Sequence, residues 1–146
     1  MEIISIMDSK LGTNISYGIT EIPQVFKPLK RVDKYWGYMD TLFDFENCTV
    51  KRIFMKKGSQ SSLEFHCKKK EVYYIESGVL KVGLRVGRGQ NRSVTVSEGE
   101  IFRIDPGLMH MRIALEDCVI IEISTIDDDS DSHIVEDGTK YIHKEE

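Results

Sequence analysis

The chain has 146 residues, of which 40% are hydrophobic and 30% charged, and its formal net charge is −4. That length points to one domain and that balance to a soluble globular protein. No basic excess suggests a nucleic-acid surface, and no apolar run approaches the ~20 residues of a membrane span.

The first segment, "MEIISIMDSKLG", has an acid at position 2 and lacks both a basic start and a long apolar core. No signal peptide is read there, and a cytoplasmic location is expected. Pro23 and Pro28 fall in "EIPQVFKPLKR", which reads as an extended lead-in. Residues 1–33 are therefore expected to be an N-terminal arm, and residues 34–126 a compact β domain. From about Thr49 the chain is a series of short runs rich in Val, Ile, Tyr and Phe. "CTVKRIFMKKG", "SLEFHC", "EVYYIESG", "VLKVGLRVG", "RSVTVSEGE", "IFRIDPG", "MHMRIALED" and "CVIIEISTI" follow one another, separated by turn residues. Such spacing predicts an all-β sandwich or barrel with little helix. Residues 127–146 form a tail whose aspartates, "DDDSD", read as a solvated loop. Cys48, Cys67 and Cys118 are odd in number and show no CxxC spacing, so reduced thiols are expected.

The chemistry concentrates in "LEFHCKKKEVYYIESG". Residues two apart on a strand share a face, so Glu64 and His66 point the same way. By the same parity Glu71, Tyr73 and Ile75 share a face of the next strand. The short 67–70 connection predicts that these two strands are antiparallel neighbours, with Glu71 approaching His66 across the pair. His110 follows the "DPGLM" turn and begins another strand with Arg112 on its own face. Two imidazoles and two carboxylates on one concave face would make a divalent metal site. The alternative is that Glu64 and Glu71 are solvent-facing residues of a half-exposed sheet.

The longer spacing carries a resemblance. Gly58, Glu64, His66, Glu71 and Gly78 stand at the intervals of the first cupin motif, with glutamate where the first histidine usually stands. Gly99, Asp105-Pro106-Gly107 and His110 resemble the second motif. "KYWGYMDTLF", "TVKRIFMKKG" and the "IIEISTIDDD" region are similar to the cupin domain of the bifunctional mannose-6-phosphate isomerase/mannose-1-phosphate guanylyltransferase proteins. Departures are present. Glu64 replaces that family's glutamine, Tyr35 replaces the proline of its Pro-Trp-Gly, and Ala114 stands where the second motif usually has asparagine.

The resemblance implies a double-stranded β-helix, or jelly roll, with an extended N-terminal arm. It implies one divalent ion on Glu64, His66, Glu71 and His110: zinc first, with Mn, Fe, Ni or Co as alternatives. It also implies a sugar-phosphate ligand and metal-assisted proton transfer between aldose and ketose. Arg112 and Lys81 are candidates for the phosphate. Arg52 joins them if its strand parity turns it inward, and Tyr73 is a candidate for a sugar hydroxyl. Trp36 reads as a packing residue. A cupin that binds a sugar or sugar nucleotide without turnover is the alternative, and a dioxygenase a third reading. The apolar segments "MEIISIM" and "YGITEIPQVF" are too short for a core of their own. A homodimer in which the arm is exchanged between subunits is therefore expected, with no nucleic-acid or membrane partner.

Overall fold

A computed structural model of the chain describes residues 22–146, together with the backbone of two strands ahead of them, β1 (Ile3–Asp8) and β2 (Thr13–Ile19), which pair as a hairpin. The expectation that "MEIISIM" and the start of "YGITEIPQVF" contact a neighbouring subunit concerns side chains outside the described residues.

The strands that follow are β3 (Lys30–Lys34), β4 (Gly37–Phe45), β5 (Cys48–Met55), β6 (Leu63–Phe65) and β7 (Glu71–Ser77). After them come β8 (Val79–Val86), β9 (Gln90–Ser97), β10 (Ile101–Ile104), β11 (Met109–Ala114), β12 (Cys118–Ser124) and β13 (His133–Glu136). One 3-10 turn, Asp129–Asp131, precedes β13. Among the described residues there is no α-helix, and hence no helix long and apolar enough to cross a membrane.

These strands make two antiparallel sheets, ordered β10-β7-β12-β5-β4-β3 and β13-β6-β11-β8-β9. They pack face to face as a jelly roll. β3 begins before residue 34 and β13 lies after residue 126, so strands from both flanks join the sheets. Period-two alternation drives the packing. β7 buries Glu71, Tyr73 and Ile75, and β12 buries Cys118, Ile120, Glu122 and Ser124. Ile53, Met55, Tyr73, Ile75, Leu80, Val82 and Ile120 are fully enclosed between the sheets. Truncating one of these isoleucines to alanine would cost about 2–5 kcal/mol.

Two local features set the site. Gly78 turns the chain from β7 to β8 at φ +83°, and a Cβ there would overlap the Asp117 carbonyl oxygen. Only glycine satisfies both constraints, which accounts for its place in the motif. The second feature is the connection over residues 67–70. It does not fold β6 and β7 into a hairpin but carries the chain from one sheet to the facing one. β6 pairs with β11 and β13, while β7 pairs with β10 and β12. Sheets ~10 Å apart can be bridged by four residues. The expected antiparallel pairing of β6 and β7 is thereby corrected.

The tail is also more ordered than a solvated loop. Asp128 and Asp129 are exposed, but Asp127 is half-buried and Asp131 buried. Residues beyond β13 run back over the outer face of β8 and β9. There Tyr141 accepts from Arg85 and Asn91, and His143 lies against Gly83.

Candidate metal centre

Glu64 is carried inward by β6, His66 follows just past the end of that strand, and His110 stands opposite Glu64 on β11. Glu71 arrives from β7 on the facing sheet, so the four side chains converge across the sandwich. Ligand atoms of Glu64, His66 and His110 all lie within 4.8 Å of one another. Glu71 Oε1 is 2.9 Å from His110 Nε2 and 3.7 Å from His66 Nε2, while Glu64 Oε1 is 3.9 Å from His66 Nε2. His66, Glu71 and His110 are buried, and the Glu64 side chain reaches the cavity at 25% exposure.

Hydrogen bonds orient both rings. His66 Nδ1 is 3.1 Å from the Asp131 carbonyl oxygen, and His110 Nδ1 is 2.8 Å from that of Leu108. A nitrogen facing a carbonyl must carry the proton and donate, which leaves a lone pair on each Nε2. Both Nε2 atoms are buried without a hydrogen-bond partner among the described residues. Glu71 is close to His110 Nε2 but off the direction of a hydrogen bond. Two imidazole lone pairs and two carboxylates turned toward one point repel unless a cation, or a proton on an imidazole, lies between them. The donor set therefore fits a divalent ion, with backbone carbonyls fixing the imidazoles as metal-binding histidines require. The electrostatics show how strongly the carboxylates and imidazoles interact. Burial opposes the charge on Glu71, but His110 and Lys69 hold it well below the usual carboxylate range. Burial pushes the His110 pKa down, and the adjacent Glu71 overcomes this and raises it.

A cavity of about 430 Å³ opens beside this cluster, lined among others by Trp36, Lys51, Glu64, His66, Lys69, Arg112, Glu122 and Asp127. Arg112 lies over the Trp36 ring at 5.1 Å and near the Tyr73 ring at 5.7 Å, and its Nη1 is 3.3 Å from the Tyr73 hydroxyl. Its Nε has no hydrogen-bond partner among the described residues. Tyr73 is fully enclosed, donates to Glu71 Oε1 at 3.2 Å, and does not line the cavity. Burial, then the Glu71 charge, hold its hydroxyl well above the usual phenol range, so it stays a neutral donor. The expectation that Tyr73 meets a sugar hydroxyl is corrected: it positions Glu71 and Arg112. Trp36 is buried as expected, yet it also forms part of the cavity wall.

Lys81 is not brought to the site. Register pairs it with Ile113, so it shares the outer face with that residue, opposite Arg112, and it lies 3.8 Å from Glu145. Arg52 also points outward, toward Tyr38 and Glu76. Its neighbour Lys51 takes the inward position and pairs with Asp127 at 2.7 Å.

Sequence reasoning missed the polar group on the six-stranded side. Lys69, the middle residue of the "KKK" turn, is buried and lies 3.2 Å from Glu71, 3.5 Å from Glu122 and 3.1 Å from Asp127. Burial lowers its pKa, but these three carboxylates outweigh burial and raise it. Glu122 is pushed up to about 7 by burial, then by the Glu71 charge. The alternation of "CVIIEIS" was the available signal for Glu122, which shares its face with Cys118 and Ile120.

A family profile described as Cupin matches residues 18–144. No curated protein matches the sequence. Among solved structures the chain is similar to a mutant of Bacillus subtilis oxalate decarboxylase OxdC, at 24% identity and TM-score 0.62, covering 73% of this chain and 30% of that one. It is similar to the capsular polysaccharide assembling protein CapF from Staphylococcus aureus, at 20% identity and TM-score 0.65, covering 76% and 33%. KdgF from Halomonas sp. matches at 20% identity and TM-score 0.54, covering 64% and 81%. The chain thus spans about a third of the first two proteins, and at these identities the likeness is one of fold. With the profile covering most of the sequence and the motif residues converging in a jelly roll, the chain belongs to the cupin family.

Proposed function

We propose that the protein is a metal-dependent cupin acting on a sugar phosphate, an aldose–ketose isomerase of the mannose-6-phosphate isomerase type. The observation that carries this reading is the pair of buried, unpartnered Nε2 atoms facing Glu64 and Glu71 at the edge of a cavity with an arginine in its wall. Glu64, His66, Glu71 and His110 would hold the ion. Zinc comes first, with Mn, Fe, Ni or Co also suited to nitrogen and oxygen donors. Bound there, the ion would supply Lewis acidity toward a substrate oxygen.

The remaining roles fall to the chain itself. Arg112 is held by Tyr73 and Trp36, and its free Nε suits an anionic or hydroxyl oxygen of the ligand. Lys34 stands on the rim as a second cation for a phosphate, since Lys51 and Lys69 are already engaged by carboxylates. Glu122 lines the cavity with its Oε2 3.5 Å from the Lys69 ammonium, and it would move a proton between neighbouring carbons of a bound sugar.

Binding without turnover is the second reading, and a specific feature favours it. Glu64 adds a carboxylate where glutamine stands in the family that the sequence resembles, and that charge weakens the Lewis acidity of a bound ion. Conversion of mannose 6-phosphate to fructose 6-phosphate, abolished by a chelator and restored by zinc, is expected of the isomerase. Binding of the sugar phosphate without conversion would select the second reading.

A homodimer belongs to the same proposal. Ile22, Val25, Phe26 and Leu29 are 58–100% exposed in a segment without regular secondary structure ahead of β3. β3 is itself a sheet edge. A second copy is the partner whose edge such a row would cover. A chain truncated to begin at Arg31 should sediment as a monomer. An unchanged oligomeric state would show that the arm does not join the subunits.

A further inference from the structure

A second set of metal-ligand atoms lies outside the cavity. We propose that Cys67, Asp131 and His133 form a surface site for a borderline divalent cation, zinc above all, separate from the central donor set. Their thiol sulfur, carboxylate oxygen and imidazole nitrogen all lie within 4.8 Å of one another. His133 Nε2 is 4.0 Å from Asp131 Oδ1.

Each donor is held by an ordered element. Cys67 lies two residues past the end of β6 and is exposed. His133 opens β13, stands opposite Phe65 in the β6 register, and stacks on the Phe65 ring at 5.0 Å. Asp131 closes the 3-10 turn, and its carboxylate accepts from the backbone N–H groups of Cys67, Lys68 and Lys69. Shaping that turn explains the carboxylate. It does not explain a thiol and an imidazole converging on the carboxylate's open side. Oδ1 receives only one of the three N–H groups and keeps a lone pair for an ion.

One sulfur, one nitrogen and one oxygen donor do not suit magnesium or calcium, which take oxygen ligands. The set suits zinc or cobalt, with solvent in the remaining position. It also differs in kind from the central cluster, which offers no sulfur. The two sites touch through one residue, because the main-chain carbonyl of Asp131 accepts from His66 Nδ1. An ion on the outer site would brace the residue that orients an inner ligand.

Cobalt(II) titrated into the metal-stripped full-length protein tests this. A thiolate-to-cobalt charge-transfer band in the near ultraviolet is expected. It should be lost in Cys67→Ser and in His133→Ala, and retained in Cys48→Ser. It should also be retained in His110→Ala, which removes a central ligand without touching the outer set. Circular dichroism confirms that each variant is folded. No band in the folded wild type, or a band that survives Cys67→Ser, overturns the proposal. A band in wild type with one cobalt bound rather than two would keep the outer site and instead count against the central one.

Discussion

On the five-stranded side of the cavity, His66 and His110 turn unpartnered nitrogens toward Glu64 and Glu71. On the six-stranded side, Lys51 and Lys69 already lie 2.7–3.5 Å from Asp127, Glu71 and Glu122. Both sides bury ionisable groups, and the second pairs its carboxylates with lysines of the chain, whereas the first sets two imidazoles with open Nε2 atoms beside them. Buried polar groups without partners are costly, so the first arrangement calls for a cation, or a proton on an imidazole, between its donors. The lysine side is scaffolding that holds Glu71 and Glu122 in place. The histidine side is where a cation belongs.

The largest effect that could break this comparison is Lys69→Met. It would strip three carboxylates of a shared cation and should cost about 3–5 kcal/mol in chemical denaturation. A loss below about 1 kcal/mol would mean that the lysine side is not the scaffold described here. Next comes the ion itself. Zinc at a hundredfold its dissociation constant should stabilise the fold by about 2.7 kcal/mol over chelator-treated protein. That gap should close in His110→Ala, and a gap that persists would move the stabilising ion elsewhere.

Glu64→Gln sharpens the histidine side. Losing one negative charge should weaken metal binding about tenfold, near 1.4 kcal/mol, while raising the Lewis acidity of the ion that stays bound. Any isomerase turnover should rise. Unchanged metal content and melting temperature would make Glu64 an ordinary surface residue.

The smallest effect is Asp127→Asn, about 1 kcal/mol at neutral pH. Burial raises the Asp127 pKa, but Lys51 and Lys69 outweigh it and hold it below its ordinary value. Stability from this group is present above the unfolded carboxyl pKa and is lost as pH falls through the folded one. Wild type and variant should therefore differ at pH 7 and converge in acid. Divergence on acidification would reverse the assignment.

How far these regions could be read from sequence depends on the range of the interactions that set them. Glu64 and His66 share a face because a strand has period two, and Glu71, Tyr73 and Ile75 follow the same local rule. Which strands face one another is not local. Glu71 meets the histidines from the opposite sheet, not from a hairpin partner, because residues 67–70 bridge the sandwich. Lys81 fails for the same reason: the register that sets it beside Ile113 and away from Arg112 is fixed by pairing with a strand about thirty residues on. Lys69 looks like one of three equivalent turn lysines until Glu71, Glu122 and Asp127 gather around it. Only the fold tells it apart from Lys68 and Lys70.

Metal content tests the central assignment most directly. Elemental analysis in a Cys67→Ser background, so that the outer thiol cannot contribute, should find about one divalent ion per chain. The same background carrying His66→Ala should hold essentially none. Equal metal content in the two proteins, or no ion in the first after zinc loading, would contradict the assignment of Glu64, His66, Glu71 and His110 as a metal centre.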